Sequence, residues 1–453
     1  MPLFRTKIGL VAATVGSAVG LGTVWRFPAE VQGNGGAAFL IVYIACVLLL
    51  GIPIMVSEFA LGRGLRSDAV GVFRKQAPGT AWWTVGAGAV LASFLILCFY
   101  MVVGGWTLDY LMQSIDGSLF AGFRPEAGIA FADSYFTDVK DSIVCSDWEA
   151  SLFTAVFVGL NIVVLLGGVQ SGIERMSNIA MPLLFVILLL FCGISLALPG
   201  SLKGVEFFLT PDFSKITPTV CINALGQAMF SLSLAMGILI TYASYYSNST
   251  NLGQTAVIVS SLTLLVAIMM GLIIFPAVSA FGLEGHGVSG TTLVFVTLPE
   301  VFAALPFSSF WSALFFLLLM VAALTSTVSI AEVVICFLQE RMGCSRCRAV
   351  LAVLLPLMVL ASICALSFGP LKDFRIAGLI MFDALDQFTN NIMLPLVALG
   401  TSLYVGWVAP RGFLRDQVTN EGQYKPGFAK ACQLILRWVA PVAIITIFLS
   451  NIL

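Results

Sequence analysis

Three features of the sequence predict an all-α polytopic membrane protein. Hydrophobic residues make up 59% of the 453, charged residues only 10%, and the mean hydropathy is +1.02. Soluble domains carry about 25% charged residues. So few charges cannot solvate a water-soluble chain of this size, and so much apolar surface cannot be hidden inside it. A soluble enzyme and a disordered chain are excluded. The net charge of −1 leaves no basic footprint for nucleic acid.

A spanning helix needs about 20 apolar residues. Eleven such runs follow one another, at about 8–34, 37–62, 82–113, 150–168, 176–198, 219–246, 254–282, 308–338, 347–368, 376–408 and 430–452. The whole chain, 1–453, reads as a single transmembrane domain. The first run becomes apolar by Ile8 without a cleavable small-residue site, so it reads as a membrane helix and not a signal peptide. Gly16, Gly20 and Gly22 crowd its middle. In the sixth run, Phe230-Ser231-Leu232-Ser233-Leu234-Ala235-Met236-Gly237 is small and polar at mid-span. Both are expected to be broken helices, since irregular backbone at membrane depth is tolerated only where it lines a cavity or is buried in protein. The breaks lie five spans apart. Two inverted five-helix repeats, about 8–198 and 219–408, with a further helix at 430–452, place a binding site at such paired breaks.

Between spans, the loop at about 117–147 is acidic (Asp133, Asp138, Asp141, Asp147), which suits a solvated surface. Segment 285–306 carries Leu293, Phe295 and Val296, and reads equally as an ordinary loop or a re-entrant cap. With the N-terminus inside, 15 of the 22 Lys and Arg fall on the cytoplasmic side. A multi-pass protein of the plasma (inner) membrane is expected, N-terminus cytoplasmic and C-terminus external.

The ten cysteines lie mostly in apolar runs, where a thiol is a small hydrophobe. Cys344 and Cys347 form an isolated C-x-x-C, and His286 is the only histidine. A zinc site needs about four ligands. No Ser/His/Asp set is visible, so an intramembrane enzyme is disfavoured.

The first break reads Gly16-Ser17-Ala18-Val19-Gly20-Leu21-Gly22-Thr23-Val24-Trp25-Arg26-Phe27-Pro28. A half-helix starting near Gly22 would aim its positive end at mid-membrane, which suits a carboxylate. Taken alone, the glycine spacing is better explained by close helix packing through small residues. Arg26 needs a partner at this depth. Asp386, on the tenth span, is the expected one, either as an external gate or as a structural ion pair.

That stretch, followed by Asn34-Gly35-Gly36-Ala37-Ala38-Phe39, resembles the signature of the neurotransmitter:sodium symporter family. The resemblance extends over nearly the whole chain: Pro53 with Glu58 and Gly62-Arg63, Tyr100 with Trp106-Thr107-Leu108, Gly172 to Arg175, Gln227 to Ser233, Thr241 to Tyr245, and Leu324-Thr325-Ser326. The rule of paired breaks was framed on transporters of this kind, so the agreement is one of pattern.

The resemblance implies a sodium-coupled amino-acid symporter working by alternating access. It implies a main sodium site from the carbonyls of Gly16, Val19 and Ala322 and the hydroxyls of Thr325 and Ser326. Taken alone, those hydroxyls read equally as bonded back to their own helix. A second sodium site, around Ala18, Thr23, Ser231 and Thr263, departs from the family pattern. Thr23 replaces an Asn, and the seventh span has no Asp, Glu or Asn, its nearest polar candidates being Ser261 and Thr263. Only the first site is expected to hold the ion firmly.

Tyr43, Gln227 and Ser231 match chloride-ligand positions, but Val266 stands where a chloride-binding Ser or a substituting acid is usual. Chloride independence is expected.

For the substrate, Gly20 occupies the place of the acid of biogenic-amine members. Tyr100 with the N–H groups of Leu21 and Gly22 would cradle a carboxylate. Carbonyls near Ser17, Ala18 and Phe230 with the Ser233 hydroxyl would meet the amino group. Ile96, Phe230, Met236, Thr327 and Ile330 would line a pocket for a hydrophobic side chain. Arg5 and Glu340 are the expected inner gate. The expected partners are an amino acid and the lipid bilayer, in a monomer or weak homodimer. The alternative is a transporter-fold sensor or scaffold that binds without flux.

Overall fold

A computed structural model describes residues 4, 6–124, 126, 128–146, 148–283 and 290–452. Expectations that fall on Arg5 and His286 therefore lie outside the described residues.

Among the described residues, nine helices are long and apolar enough to cross a membrane. They are Ala37–Leu65, Trp83–Asp116, Glu149–Leu166, Val169–Ala197, Leu252–Ala280, Ser308–Met342, Arg346–Phe368, Met381–Val408 and Gly427–Ser450. A tenth is broken: Lys7–Ala18 and Gly22–Gly33 meet at 51°. The sixth expected run is Pro218–Ser231 and Ile238–Ser244, each too short to span alone. The count of eleven rests on reading that pair as one crossing.

The helices begin and end on local chemistry. Thr6 caps the first, its Oγ1 accepting from Gly9 N at 2.9 Å. Thr217 caps the sixth, with Pro218 in its first turn, where a missing N–H costs nothing. Asn251 caps the seventh. Residues 376–380 do not open the tenth span as expected. A two-residue hairpin, Arg375–Ile376 against Leu379–Ile380, precedes it, and the helix starts at Met381.

The third and eighth spans pack along each other, with the fourth and ninth alongside. The second half of the sixth span, Ile238–Ser244, lies against the second. Segment 290–303 is a short helix, buried from Leu293 to Phe302. Phe295 sets its ring 6.1 Å from Trp25, and its carbonyl accepts from the Tyr110 hydroxyl at 2.9 Å. Residues 293–302 are thus buried helix, while 285–289 lie outside the described residues.

Candidate functional site

The first span loses its helix at Val19, where φ/ψ is −87°/72°. It resumes as a wide turn from Gly22, closed by Phe27 N–H on the Gly22 carbonyl. Glycine is required at position 20: a Cβ there would fall onto the Ser326 hydroxyl of the eighth span. That close approach puts Ser326 Oγ 3.5 Å from Gly16 O and 3.3 Å from Ser17 O. Thr325 Oγ1 donates to Ala322 O at 3.0 Å. Thr325 and Ser326 are buried, and Val19 lies wholly buried at the break. Of the expected sodium residues, Ser326 therefore meets the first span at Gly16, while the Thr325 hydroxyl is bonded back to its own helix at Ala322 and Val19 lies buried at the break; hydroxyls and carbonyls are the oxygen donors a hard cation prefers.

The sixth span unwinds between Ser231 and Ile238. Ser233 and Ala235 take φ of +53° and +66°, and Gly237 takes +74°. For the two non-glycine residues this costs of order 1–3 kcal/mol each and persists only when the surroundings hold it. Three side chains do so. Glu58 Oε1 accepts from Ala235 N at 2.7 Å. Ser93 Oγ donates to Met236 O at 2.6 Å. Ser233 Oγ donates to Ser17 O at 2.8 Å, joining the two breaks directly.

Above the breaks lies a cavity of about 420 Å³ on the face opposite the N-terminus. Leu21, Gly22, Tyr100 and Phe230 line it, with Arg26, Glu30, Asp383 and Asp386. The first N–H groups of a helix have no partner within it, so the start of the Gly22 half-helix offers donors to an anion. Tyr100 and Phe230 meet edge to face, 6.1 Å between centroids. Gly22 leaves room for the Phe230 ring, 2.5 Å from where a Cβ would stand. Ile96, Met236 and Ile330 are buried.

Arg26 and Asp386 do not pair. Arg26 Nε lies 3.5 Å from Glu30 Oε1, one helical turn on, and its guanidinium sits 5.1 Å from the centre of the Phe230 ring. Asp386 Oδ1 accepts from Asn390 Nδ2 at 2.6 Å. The expected gate is apart because each partner has a nearer one. The Arg26–Glu30 spacing of four was the missed signal.

The N-terminal face is closed. Phe4 packs on Tyr242 at 5.9 Å, and Thr6 Oγ1 donates to Glu174 Oε1 at 3.0 Å. Arg346 grips wholly buried Glu332 through two bonds of 3.0 and 2.7 Å, and Tyr245 adds a third at 2.9 Å. Glu340 accepts from Ser67 Oγ at 2.6 Å. The closure therefore stands on Glu332 and Arg346, which sequence reading did not single out. The vestibule thus opens on the face opposite the N-terminus, while these contacts bridge the N-terminal face.

The second expected ion set is loosely assembled. Thr23 Oγ1 donates to Ala18 O at 3.0 Å. Gln227 Nε2 bridges Ser231 Oγ at 2.9 Å and Gly22 O at 2.8 Å. Thr263 is spent on its own helix, donating to Val259 O at 2.9 Å. Ser260, not Ser261, is the buried serine of the seventh span, and its hydroxyl has no partner. Gln227 Oε1 is likewise buried without one. Thr327 turns toward the fourth span, where its hydroxyl meets Asn161. Tyr43 is wholly buried against Phe27, and Val266 is buried without a polar atom to offer.

A model of the sodium:neurotransmitter symporter family matches residues 2–121 and 126–453. The chain belongs to that family. It is 35% identical over 449 residues to an uncharacterized sodium-dependent transporter of Bacillus subtilis, covering 99% of this chain and 97% of the relative. A second such transporter, from Haemophilus influenzae, is 36% identical, covering 99% and 98%. Among solved structures, a crystal structure of MhsT in complex with L-phenylalanine aligns with TM-score 0.90 and 38% identity over 100% of both chains. The family's paired-break fold is thus shared across the full length, and the chain is a sodium-dependent symporter by family, not an enzyme by family.

Proposed function

We propose that this symporter couples sodium entry to the import of a small hydrophobic amino acid by alternating access. The observation that carries the reading is the meeting of the two breaks. Ser17 O accepts from Ser233 of the sixth span and lies 3.3 Å from Ser326 of the eighth. One backbone segment therefore faces both the ion's hydroxyls and the substrate's cavity. Sodium drawn between Gly16, Val19, Ala322, Thr325 and Ser326 would hold the first span against the eighth. That favours the outward-open form only as far as its affinity for the two forms differs.

The substrate carboxylate would sit on the Leu21 and Gly22 N–H groups with the Tyr100 hydroxyl. Gly20 offers no acid for an amine lacking a carboxylate. The MhsT complex with L-phenylalanine supports an amino acid. The cavity's apolar side chains, Leu21, Phe99, Val103, Phe230 and Phe382, support a hydrophobic one; Ile96, Met236 and Ile330 are buried and would line the pocket only in a form that encloses the substrate. Thr23 in place of an Asn and a seventh span without Asp, Glu or Asn support a single firmly bound sodium, and Val266 supports chloride independence. The distribution of Lys and Arg supports a plasma-membrane orientation with the N-terminus cytoplasmic and the C-terminus external.

The test is a thermal-shift screen of the purified protein against all amino acids and several amines, in sodium and in choline. Stabilisation by apolar amino acids only in sodium is expected. Stabilisation by an amine without a carboxylate would overturn the substrate class. Binding without proteoliposome uptake would favour a sensor or scaffold.

A further inference from the structure

We infer that Asn161 of the fourth span is a positioning residue for the sodium site, acting through Thr327. The inference rests on the ion-site reading above and extends it to a residue that touches neither ion nor substrate.

Asn161 and Thr327 are both wholly buried. Thr327 Oγ1 donates to Asn161 Oδ1 at 2.8 Å. Asn161 Nδ2 donates to Phe157 O of its own helix at 2.9 Å and lies 3.6 Å from Met101 Sδ of the third span. One amide therefore ties the third, fourth and eighth spans. Burying an amide in an apolar helix bundle costs free energy unless its bonds are made, and an aliphatic side chain would fill the same space at less cost. Its polarity calls for a use.

That use follows from helical geometry. Thr327 comes directly after Ser326. Successive side chains on an α-helix point about 100° apart. Holding Thr327 toward the fourth span fixes the rotation of the eighth, and so aims Ser326 Oγ at Gly16 O and Ser17 O. Without Asn161 the Thr327 hydroxyl falls back on carbonyls of its own helix, Ala323 O at 3.0 Å and Leu324 O at 3.2 Å. It then stays satisfied, but nothing polar pins the eighth span to the fourth.

The test uses the full-length purified protein, with sodium itself as the probe. Thermal stability is titrated with sodium chloride against choline chloride at constant ionic strength. Thr327→Val removes only the hydroxyl at constant shape, and Asn161→Leu removes the amide. Interhelical hydrogen bonds of this kind are worth a factor of about 3, and at most about 20. Each variant should therefore raise the half-saturating sodium concentration about threefold or more. The double variant should go no further than either single one, and Thr327→Ser should stay at the wild-type value.

A merely structural role would lower the melting temperature in choline and leave the sodium midpoint unmoved, which overturns the inference. So does a double variant whose effect is the product of the single ones. A wild type blind to sodium overturns the ion site itself, and this inference with it. A sodium-responsive wild type with unmoved variants overturns the inference alone.

Discussion

Removing Arg346 should unlock the N-terminal face, the inner one in the orientation proposed above. Glu332 is wholly buried, and Arg346 reaches it through bonds of 3.0 and 2.7 Å. Truncating one partner of a buried ion pair costs about 3–5 kcal/mol, because the other charge is left uncompensated. Tyr245 still donates to Glu332 at 2.9 Å, so the lower end, about 3 kcal/mol, is the appropriate figure. That shifts the balance between closed and open inner face by roughly 100-fold.

Cys336 is the native reporter. It is buried, yet it borders a cavity of about 550 Å³ beside Gln339, Glu340 and Arg346. In Arg346→Met, maleimide modification of Cys336, followed by peptide mapping, should accelerate by about two orders of magnitude. Cys347, already exposed, should react at the same rate in both proteins. Adding Glu332→Gln should recover much of the protection, since no unpaired charge is then buried. A Cys336 rate that stays at the wild-type value in Arg346→Met would refute the assignment of this pair as the inner lock.

Gly20→Ala should weaken sodium binding tenfold or more while the protein still folds, because the added methyl lands on the Ser326 hydroxyl; sodium titration of thermal stability reads it. Glu300, on the short helix outside the spans, supplies a pH dependence. Both its carboxylate oxygens are buried without a partner, and burial, with Asp133 adding a little, pushes its pKa from 4.5 up to about 7. A raised carboxyl pKa means the buried seat is fully favoured below about pH 4.5 and weakens as pH rises to about 7. Hydrogen exchange in residues 293–303, corrected for intrinsic rate, should therefore be faster at the alkaline end, and Glu300→Gln should flatten the profile.

The spans were legible because runs of about 20 apolar residues have few other uses. Both breaks were legible too, from glycines around Gly20 and from the small, polar run through Ser233 and Gly237. Other parts were hidden for definite reasons. The inner lock joins Glu332, deep in the eighth span, to Arg346, past the turn that opens the ninth, and nothing in either span marks the other. The Asn161–Thr327 contact links residues 166 apart in sequence. On the seventh span the apolar residues run all round the helix, so no periodicity told Ser260 from Ser261 as the inward one. The acid that holds the sixth span open, Glu58, stood out only as part of a motif. Its role needed the strained φ angles of Ser233 and Ala235 to be seen.

Uptake into proteoliposomes of the labelled amino acid that most stabilises the protein in sodium, with sodium or choline outside, tests most directly whether the two unwound segments hold ion and substrate together. Sodium-dependent accumulation by the wild type is expected, and its loss in the Thr325→Ala, Ser326→Ala double variant despite normal expression. Accumulation that survives both substitutions unchanged would contradict it.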